Sequence, residues 1–339
     1  MSIQHKIFLC YIIVVSAIGL SYPVPAVTEL EKFSAQEKTR DLKGATEIAG
    51  KYMKLARGAI GGEEALGQVQ TLKFSGKWSR ILKYAIVQSP TKVVEKEKTL
   101  SSKLEIEFLL PDRFRKRVNI QPLRGFPYSF DLIVNGARAW RNPPLRVIPL
   151  SSGDRRVIDV DDFERTIAVT ALGAKQELTF ISLCWMLQGL PSFPLEYSYH
   201  GRFPSTSGDL NMINVNGPEN FMISLLLDQK TNLPIALAWT FEEVRRQLVI
   251  VEYMGFSRKV WMEIGQRVQK ERLERTKPRQ RYELQMKLSD YRRVGGVLWP
   301  HRLTTTINNE ITEDFIIDNL EINRPINPKR FEGETEPKY

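Results

Sequence analysis

The side chains that could carry out catalysis are few, and their spacing matches no catalytic pattern. His200 and His301 are the only histidines after residue 26, and neither belongs to a His-Glu-x-x-His, His-x-x-Glu-His or cysteine-rich arrangement of the kind that binds zinc. No Gly-x-Ser-x-Gly segment presents a nucleophilic serine. We therefore predict that the chain is not an enzyme and that it has no catalytic residue, metal site or cofactor.

Charged residues are frequent, but their positions are typical of solvated faces. The acids Asp161 and Asp162 are adjacent, as are Glu242 and Glu243, which suits helix caps and strand ends better than an acid/base pair. A carboxylate pair that meets across a sheet stays open, because only geometry can reveal it.

Arginines alternate with apolar residues in segment 113–120. Because Arg113, Arg115 and Arg117 are two residues apart, their side chains should lie on the same face of a strand. We expect that face to be the solvated outer one, and a specific anion site is the alternative. His301 follows Pro300 on a strand and alternates with wet positions, which predicts a structural or surface histidine rather than a ligand.

Residues 1–26 predict a secretory signal. Lys6 precedes a short apolar run, and Val24, Pro25 and Ala26 offer small residues to a signal peptidase. We expect a periplasmic protein cut near Ala26, and a retained N-terminal anchor is the alternative. Cleavage would leave Cys184 as the only cysteine, so no internal disulfide could form and the fold must depend on burial.

The chain of 339 residues carries a formal net charge of +10. Such a charge suits anionic lipid head groups or nucleic acid, and export favours the lipid surface over nucleic acid. A basic protein without either partner is the simpler explanation. The basic tract 266–281, QRVQKERLERTKPRQR, is the segment that we expect to meet an anionic membrane, if any does. We expect a monomer.

Strand-like alternation dominates the rest of the chain. After a polar leader (27–44) and an amphipathic helix that ends at Gly61 and Gly62, apolar and polar residues alternate over many short runs. The apolar positions of these runs predict inner strand faces, and the family resemblance given below implies that these faces line one continuous ligand cavity, formed by Leu72, Phe74, Trp78, Leu104, Ile106, Phe108, Leu225, Leu237, Trp239, Leu284 and Met286.

Segment 161–190 is predicted to be helical, and Gly173 is predicted to divide it. Its second half is apolar on nearly every side, and a helix of that kind must be covered on more than one face. We expect a lid over the cavity mouth that uses Phe180, Ile181, Trp185 and Met186, whereas a plain core helix is the alternative.

Three phrases carry a family resemblance. SDYRRVGGVLWPHRLTTTI (289–307), INPKRF (326–331) and LLLDQKTNLPIALAW (225–239) resemble the LolA/LolB-like group of outer-membrane lipoprotein-sorting carriers. The resemblance implies an α+β fold in which an incomplete antiparallel β-barrel, a half-barrel sheet, wraps around helices and an apolar cavity. It implies one domain over residues 45–331, with the lid at 161–190, a basic insertion at 260–281 and a tail at 332–339.

The resemblance also sets the functional hypotheses. The first is an exported carrier or binder of a lipid or an acylated protein, such as a lipoprotein's lipid moiety. The alternative is a non-enzymatic envelope sensor or interaction module, and an enzyme acting on an apolar substrate comes third. The chain departs from the group in its extra segments, and no single arginine can be matched to the one that members use to latch the lid.

Overall fold

The computed structural model describes residues 42–89, 92–120, 128–136, 138–142, 160–204, 208–243, 248–251 and 280–332. The predicted signal segment, nearly all of the predicted leader and of the basic insertion, and all of the tail after residue 332 lie outside the described residues.

Three α-helices and thirteen strands make up the described fold. The helices are α1 (Leu42–Ile60), α2 (Gly62–Gly67) and α3 (Val160–Met186), and a 3₁₀ turn spans Pro328–Phe331. The strands are β1 (Thr71–Ser89), β2 (Lys92–Leu109), β3 (Arg113–Ile120), β4 (Tyr128–Asn135), β5 (Arg138–Asn142), β6 (Glu196–Phe203), β7 (Leu210–Gly217), β8 (Phe221–Asp228), β9 (Pro234–Glu243), β10 (Leu248–Val251), β11 (Gln280–Val294), β12 (Val297–Ile307) and β13 (Glu310–Ile322).

All strands belong to one sheet. Twelve of them follow the order β5-β4-β3-β2-β1-β13-β12-β11-β9-β8-β7-β6, and each neighbouring pair is antiparallel. β10 lies off this path and pairs in parallel with the distal part of β1. Within the described residues, β5 and β6 are unjoined ends. The predicted incomplete antiparallel barrel is thus confirmed as a large open antiparallel sheet.

Two tight turns fix the register of the C-terminal strands. Gly295 and Gly296 have φ values of +58° and +83°, and Asn308 and Asn309 have +48° and +66°. Positive φ at both central residues is the requirement of the two-residue hairpin turn that matches strand twist, and glycine and asparagine meet it at least cost. These two dipeptides join β11, β12 and β13 into an antiparallel meander.

The concave face of the sheet carries the apolar core. Leu72 and Phe74 on β1 pair with Phe108 and Ile106 on β2, and all four side chains are buried in one cluster. That cluster also contains the second half of α3 and part of α1. Among the described residues, no helix combines the length and hydrophobicity that a membrane span needs.

Two helix boundaries differ from the predictions. Helix α1 begins at Leu42, so it takes in the last residues of the predicted leader. Helix α3 continues without interruption through Gly173 and ends at Met186, where Leu187 adopts a φ of +52°. A glycine inside a helix costs about 1 kcal/mol relative to alanine, which burial of the following turns readily offsets.

Candidate functional site

The predicted wall residues gather on the concave face. Ten of the eleven predicted positions lie in, or pack against, one apolar cluster, with Trp78, Trp239 and Met286 only partly buried. Leu284 is the exception, since it is half-buried and lies outside that cluster. Strand alternation brings these side chains to one face because successive residues point to opposite sides of a sheet.

Helix α3 contacts this face with the predicted lid residues. The rings of Trp185 and Phe74 have centroids 4.3 Å apart, and Trp185 Nε1 donates a hydrogen bond to the Pro300 carbonyl at 3.3 Å. On the other side, Phe180 approaches Trp239 with ring centroids 4.1 Å apart. The helix therefore contacts strands β1, β12 and β9, which lie within one continuous run of the sheet.

The lid residues are almost entirely buried in this arrangement. Phe180 and Ile181 are 5% and 8% exposed, and Trp185 and Met186 are 1% and 2% exposed. Cys184, between them, places its Sγ 3.6 Å from the Sδ of Met286 on β11. Burial raises the pKa of the Cys184 thiol, so it is a packing group rather than a nucleophile at neutral pH.

A pocket of about 750 Å³ lies beside the C-terminal end of α3. Residues of α1, including Arg57, form one side, and the segment from Leu187 to Tyr197 forms another. Arg57 Nε is 2.7 Å from Glu63 Oε1, and Arg57 Nη1 donates to Gln188 Oε1 at 3.5 Å. The pocket thus has a charged rim immediately next to the apolar interior.

Local backbone geometry shapes this end of the helix. Ser182 Oγ donates a hydrogen bond to the Gln188 carbonyl at 2.8 Å, which closes the chain back onto the last turn of α3. A Cβ at Gly189 would lie 2.8 Å from Leu195 Cγ, so only glycine fits this close approach.

Burial raises the pKa of Tyr197, which also lines the pocket, to about 12, although the nearby charge of Arg57 acts in the opposite direction.

The opposite face of β2, β3 and β4 holds a buried ion network that the sequence prediction missed. Arg115 Nη1 donates to Glu107 Oε2 at 3.0 Å, and Arg115 Nη2 donates to Asp131 Oδ2 at 2.9 Å. Arg117 Nε donates to Asp131 Oδ1 at 2.8 Å. The prediction of solvated arginines is wrong for Arg115, which is only 4% exposed.

The C-terminal 3₁₀ turn packs over this network. Phe331 is fully buried, and its carbonyl accepts a hydrogen bond from Asn135 Nδ2 at 3.2 Å. Arg330 Nη1 comes within 2.7 Å of Glu107 Oε1, a close ionic approach that is not aligned as a hydrogen bond. The turn and the last part of the INPKRF phrase therefore act as a clamp on the outer face.

Hydrogen bonds decide the ionisation within this network. Burial acts to raise the pKa of Asp131, but the hydrogen bonds from Arg117 and Arg115 outweigh it, and the pKa lies below its ordinary value. The hydrogen bond that Arg117 donates to Asp131 has the opposite effect on its donor, since it raises the pKa of Arg117. Register could have revealed the network, because Glu107 pairs with Arg115 and Arg117 pairs with Asp131 on neighbouring strands.

Candidate catalytic groups do not converge. Within the described ranges, no three residues among His, Cys, Asp and Glu lie close enough to hold a metal ion together. His301 is 5% exposed, and its Nδ1 lies 2.9 Å from the Trp299 carbonyl, so it is a structural histidine rather than a surface one. Glu242 and Glu243 lie at the end of β9, as expected for a strand end.

Comparison with solved structures gives three informative neighbours. A LolA superfamily protein from Nitrosomonas europaea is 10% identical, with a TM-score of 0.42 over 84% of this chain and 97% of its own. An outer membrane lipoprotein-sorting protein domain from Vibrio parahaemolyticus is also 10% identical, with a TM-score of 0.36 and the same coverage. The MucA/MucB complex from Pseudomonas aeruginosa matches at 11% identity and a TM-score of 0.21, over 85% of this chain and 61% of its own.

No protein-family model and no curated protein matches the chain. LolA superfamily and lipoprotein-sorting structures are thus among those that this chain resembles, at about 10% identity and with TM-scores below 0.5. A likeness of this degree carries no argument, and the function has to be argued from the side chains of this chain.

Proposed function

We propose that this chain is an exported, non-catalytic carrier or binder of an acylated or otherwise apolar ligand, held between α3 and the concave face of the sheet. One observation carries the proposal: a single helix covers the apolar face of the sheet through Trp185 against Phe74 on β1 and Phe180 against Trp239 on β9. These contacts occupy the volume that we assign to the ligand, so α3 and the ligand would compete for it.

The energetics favour exchange rather than permanent occupation by either one. An acyl chain of 14 carbons gains roughly 11 kcal/mol gross on burial, at about 0.8 kcal/mol per methylene. Withdrawal of two buried aromatic side chains costs on the order of 3 to 5 kcal/mol each, and immobilising the ligand costs more. The gain and the costs are of the same order, so we expect neither α3 nor the ligand to occupy this volume permanently.

The pocket at the end of α3 supplies a place for a polar head group. Its lining includes Arg57, Lys54 and Gln188, which suit an anionic or hydrogen-bonding head, together with Glu63, which pairs with Arg57, and the buried apolar residues Met53, Leu187 and Leu190. The proposed ligand is therefore amphipathic, with its head at this rim and its chain under α3.

A reversible lock on α3 tests the proposal. The Cys184 and Met286 sulfur atoms lie 3.6 Å apart, so Met286→Cys places a second thiol on the strand that faces Cys184, with its sulfur one bond closer to the backbone than the methionine sulfur. We expect the oxidised variant to lose binding of a fluorescent fatty acid and the reduced variant to regain it. Formation of the disulfide is measured by mass spectrometry.

Met286→Ala is the matched control, because it changes the same position without creating a cross-link. It should bind the fluorescent fatty acid equally well under oxidising and reducing conditions. If the oxidised Met286→Cys protein binds as well as the reduced one, α3 is a fixed core helix and the competition described above does not occur.

Export and membrane contact belong to the same proposal. The predicted signal in residues 1–26 implies that N-terminal sequencing of the periplasmic protein starts close to Val27, and a protein that still begins at Met1 would contradict export.

The basic tract 266–281 implies that the protein sediments with phosphatidylglycerol vesicles but not with phosphatidylcholine vesicles. Equal sedimentation with both kinds of vesicle would contradict the proposed membrane contact.

A further inference from the structure

The pocket at the end of α3 contains a largely buried cation with unused hydrogen-bond donors. The Arg57 side chain is 17% exposed, and its Nε atom is buried without an aligned hydrogen-bond partner in the part of the chain that the structure describes. Its Nη1 atom donates a long hydrogen bond to Gln188 Oε1, at 3.5 Å. A guanidinium group carries five N–H donors and a permanent charge. Arg57 therefore lines the pocket with bonding capacity that the neighbouring residues do not fill.

The carboxylate beside Arg57 is weakly held. Glu63 Oε1 lies 2.7 Å from Arg57 Nε, but the N–H group is not aligned with this oxygen as a hydrogen bond. The Glu63 side chain is 60% exposed, and water competes for a carboxylate at that exposure. A second anion that reaches the pocket can thus replace Glu63 at small cost.

Arg115 in the outer-face network has the opposite arrangement. Its side chain is 5% exposed, and it donates aligned hydrogen bonds to Glu107 and Asp131 at 3.0 and 2.9 Å. The side chains of these two acids are 1% and 11% exposed. Arg115 is therefore held by partners that are buried with it, whereas Arg57 lies between an exposed partner and a pocket.

The charges that line the pocket favour an anion. Lys54 and Arg57 lie three residues apart on α1, on one side of the helix, and both line the pocket, whereas Glu63 is the lining residue of opposite charge. The apolar residue Leu187 also lines the pocket, and it directly follows Met186, the last residue of α3. A head group in the pocket therefore adjoins the C-terminal turn of α3.

We propose that the pocket recognises an anionic head group, a carboxylate or a phosphate, which displaces Glu63 from Arg57. The inference rests on the proposed function and refines it by naming the charge of the head group and the side chain that it replaces. The planar guanidinium group binds either oxyanion through two parallel, charge-assisted hydrogen bonds. A neutral hydroxyl head accepts fewer hydrogen bonds and supplies no charge in place of Glu63, so the pocket discriminates against it.

Three amphiphiles with the same alkyl chain length test the charge of the head group. They are dodecanoate, dodecyl phosphate and 1-dodecanol, each competing with the apolar dye N-phenyl-1-naphthylamine near neutral pH, where the carboxyl group is ionised. The wild type should bind the anions about tenfold more tightly than the alcohol. The tighter of the two anions identifies the oxyanion that the pocket takes, and a preference for either one supports the inference.

Arg57→Met removes the guanidinium group and keeps an unbranched side chain. This variant should lose the preference for the anions and keep its affinity for 1-dodecanol. Lys51→Met is the matched control, because it removes the same charge from an exposed position of α1 that does not line the pocket. It should retain the preference. An equal loss in both variants would assign the preference to the overall positive charge of the protein and would overturn the inference.

Glu63→Gln tests the displacement at an exposed residue whose replacement should not impair folding. It removes the competing carboxylate and should tighten binding of the anions by about two- to fivefold, without changing the binding of 1-dodecanol. Glu64→Gln removes a charge from the next residue, which is exposed and does not line the pocket, and it should change neither affinity. Equal affinities of the two variants for the anions would contradict the displacement and overturn the inference.

Binding of the dye to the wild type separates this inference from the proposed function. If the wild type binds no dye, the proposed function and the inference fail together. If the dye binds and is displaced equally well by the anions and by 1-dodecanol, the carrier function stands and the inference alone fails.

Discussion

Strand β2 presents two opposite kinds of buried chemistry on its two faces. Phe108 points into the apolar interior, where its ring lies 5.2 Å from that of Phe114 on β3. Glu107, the preceding residue, points outward and bonds to Arg115 of the same strand β3 at 3.0 Å. Both are 1% exposed, so burial alone does not distinguish them.

The difference lies in how specific the contacts are. Apolar contacts are non-directional, so one aromatic or aliphatic partner can replace another at modest cost. Charge-assisted hydrogen bonds are directional, and removal of one partner leaves a buried charge uncompensated. The inner face is therefore suited to exchange its occupant, whereas the outer face holds β2, β3 and β4 in a fixed arrangement under the C-terminal turn.

The largest effect is expected from Arg115→Ala. The substitution leaves the carboxylates of Glu107 and Asp131 buried without their common partner, and the expected loss of stability is about 3 to 5 kcal/mol. Arg113→Ala on the same strand is the control, with an expected loss below about 1 kcal/mol. Urea denaturation measures both, and a loss from Arg115→Ala as small as that of the control would contradict the proposed rigidity of the outer face.

Trp185→Ala should reduce stability somewhat less but improve ligand binding. Truncation of this buried indole costs on the order of 3 kcal/mol, and it also weakens the occupant that competes with the ligand. The expected result is a lower unfolding midpoint together with tighter binding of N-phenyl-1-naphthylamine. Weaker or unchanged dye binding would remove the distinction between an exchangeable face and a fixed one, since Arg115→Ala is expected to lower stability without improving binding.

Arg330→Ala should have a smaller, local effect. The side chain is partly exposed, so loss of its approach to Glu107 should cost about 1 kcal/mol or less. We expect faster amide hydrogen exchange in the 3₁₀ turn Pro328–Phe331 and no change in dye binding. Lys329→Ala, at an exposed position of the same turn, should leave the exchange rates unchanged, and equal effects of the two variants would show that the Glu107 contact is not the cause.

The smallest effect concerns pH. The pKa of Asp131 is lower in the folded protein than in the unfolded chain, so its contribution to stability is present above the unfolded value and is lost as the pH falls through the folded value. The difference in urea midpoint between wild type and Asp131→Asn should therefore shrink on acidification below about pH 4. Dye binding should not follow this titration. A difference that is constant with pH would mean that the Asp131 ion pairs contribute nothing to stability.

Alternation and turn chemistry made most of the sheet predictable. The Gly295-Gly296 and Asn308-Asn309 dipeptides mark two hairpin turns. The alternation of apolar and polar residues in β1 and β2 indicates which of their side chains face the core. The second half of α3, which is apolar on nearly every side, was correctly expected to be covered on several sides, because such a surface cannot face water.

Pairing between strands limited the rest of the prediction. The alternation of residues along β3 identified the strand face that carries Arg115, but not the residues that lie beside Arg115. Only the β2–β3 and β3–β4 registers bring Glu107 and Asp131 next to it. The continuity of α3 through Gly173 was likewise hidden, since tertiary burial outweighs the local preference of one glycine. The unused donors of Arg57 have no signature in the sequence, because they depend on what the surrounding side chains fail to provide.

The unjoined ends of the sheet have a mechanical consequence. A closed barrel fixes its radius through strand number and shear, so its bore cannot widen unless ladder hydrogen bonds break. In the described residues β5 and β6 do not pair, and the curvature of this sheet is therefore set by bending stiffness rather than by a closed ring of hydrogen bonds. For the ligand that we propose, we expect such a sheet to accommodate a greater thickness with a gradual increase in elastic strain and without a sharp size limit.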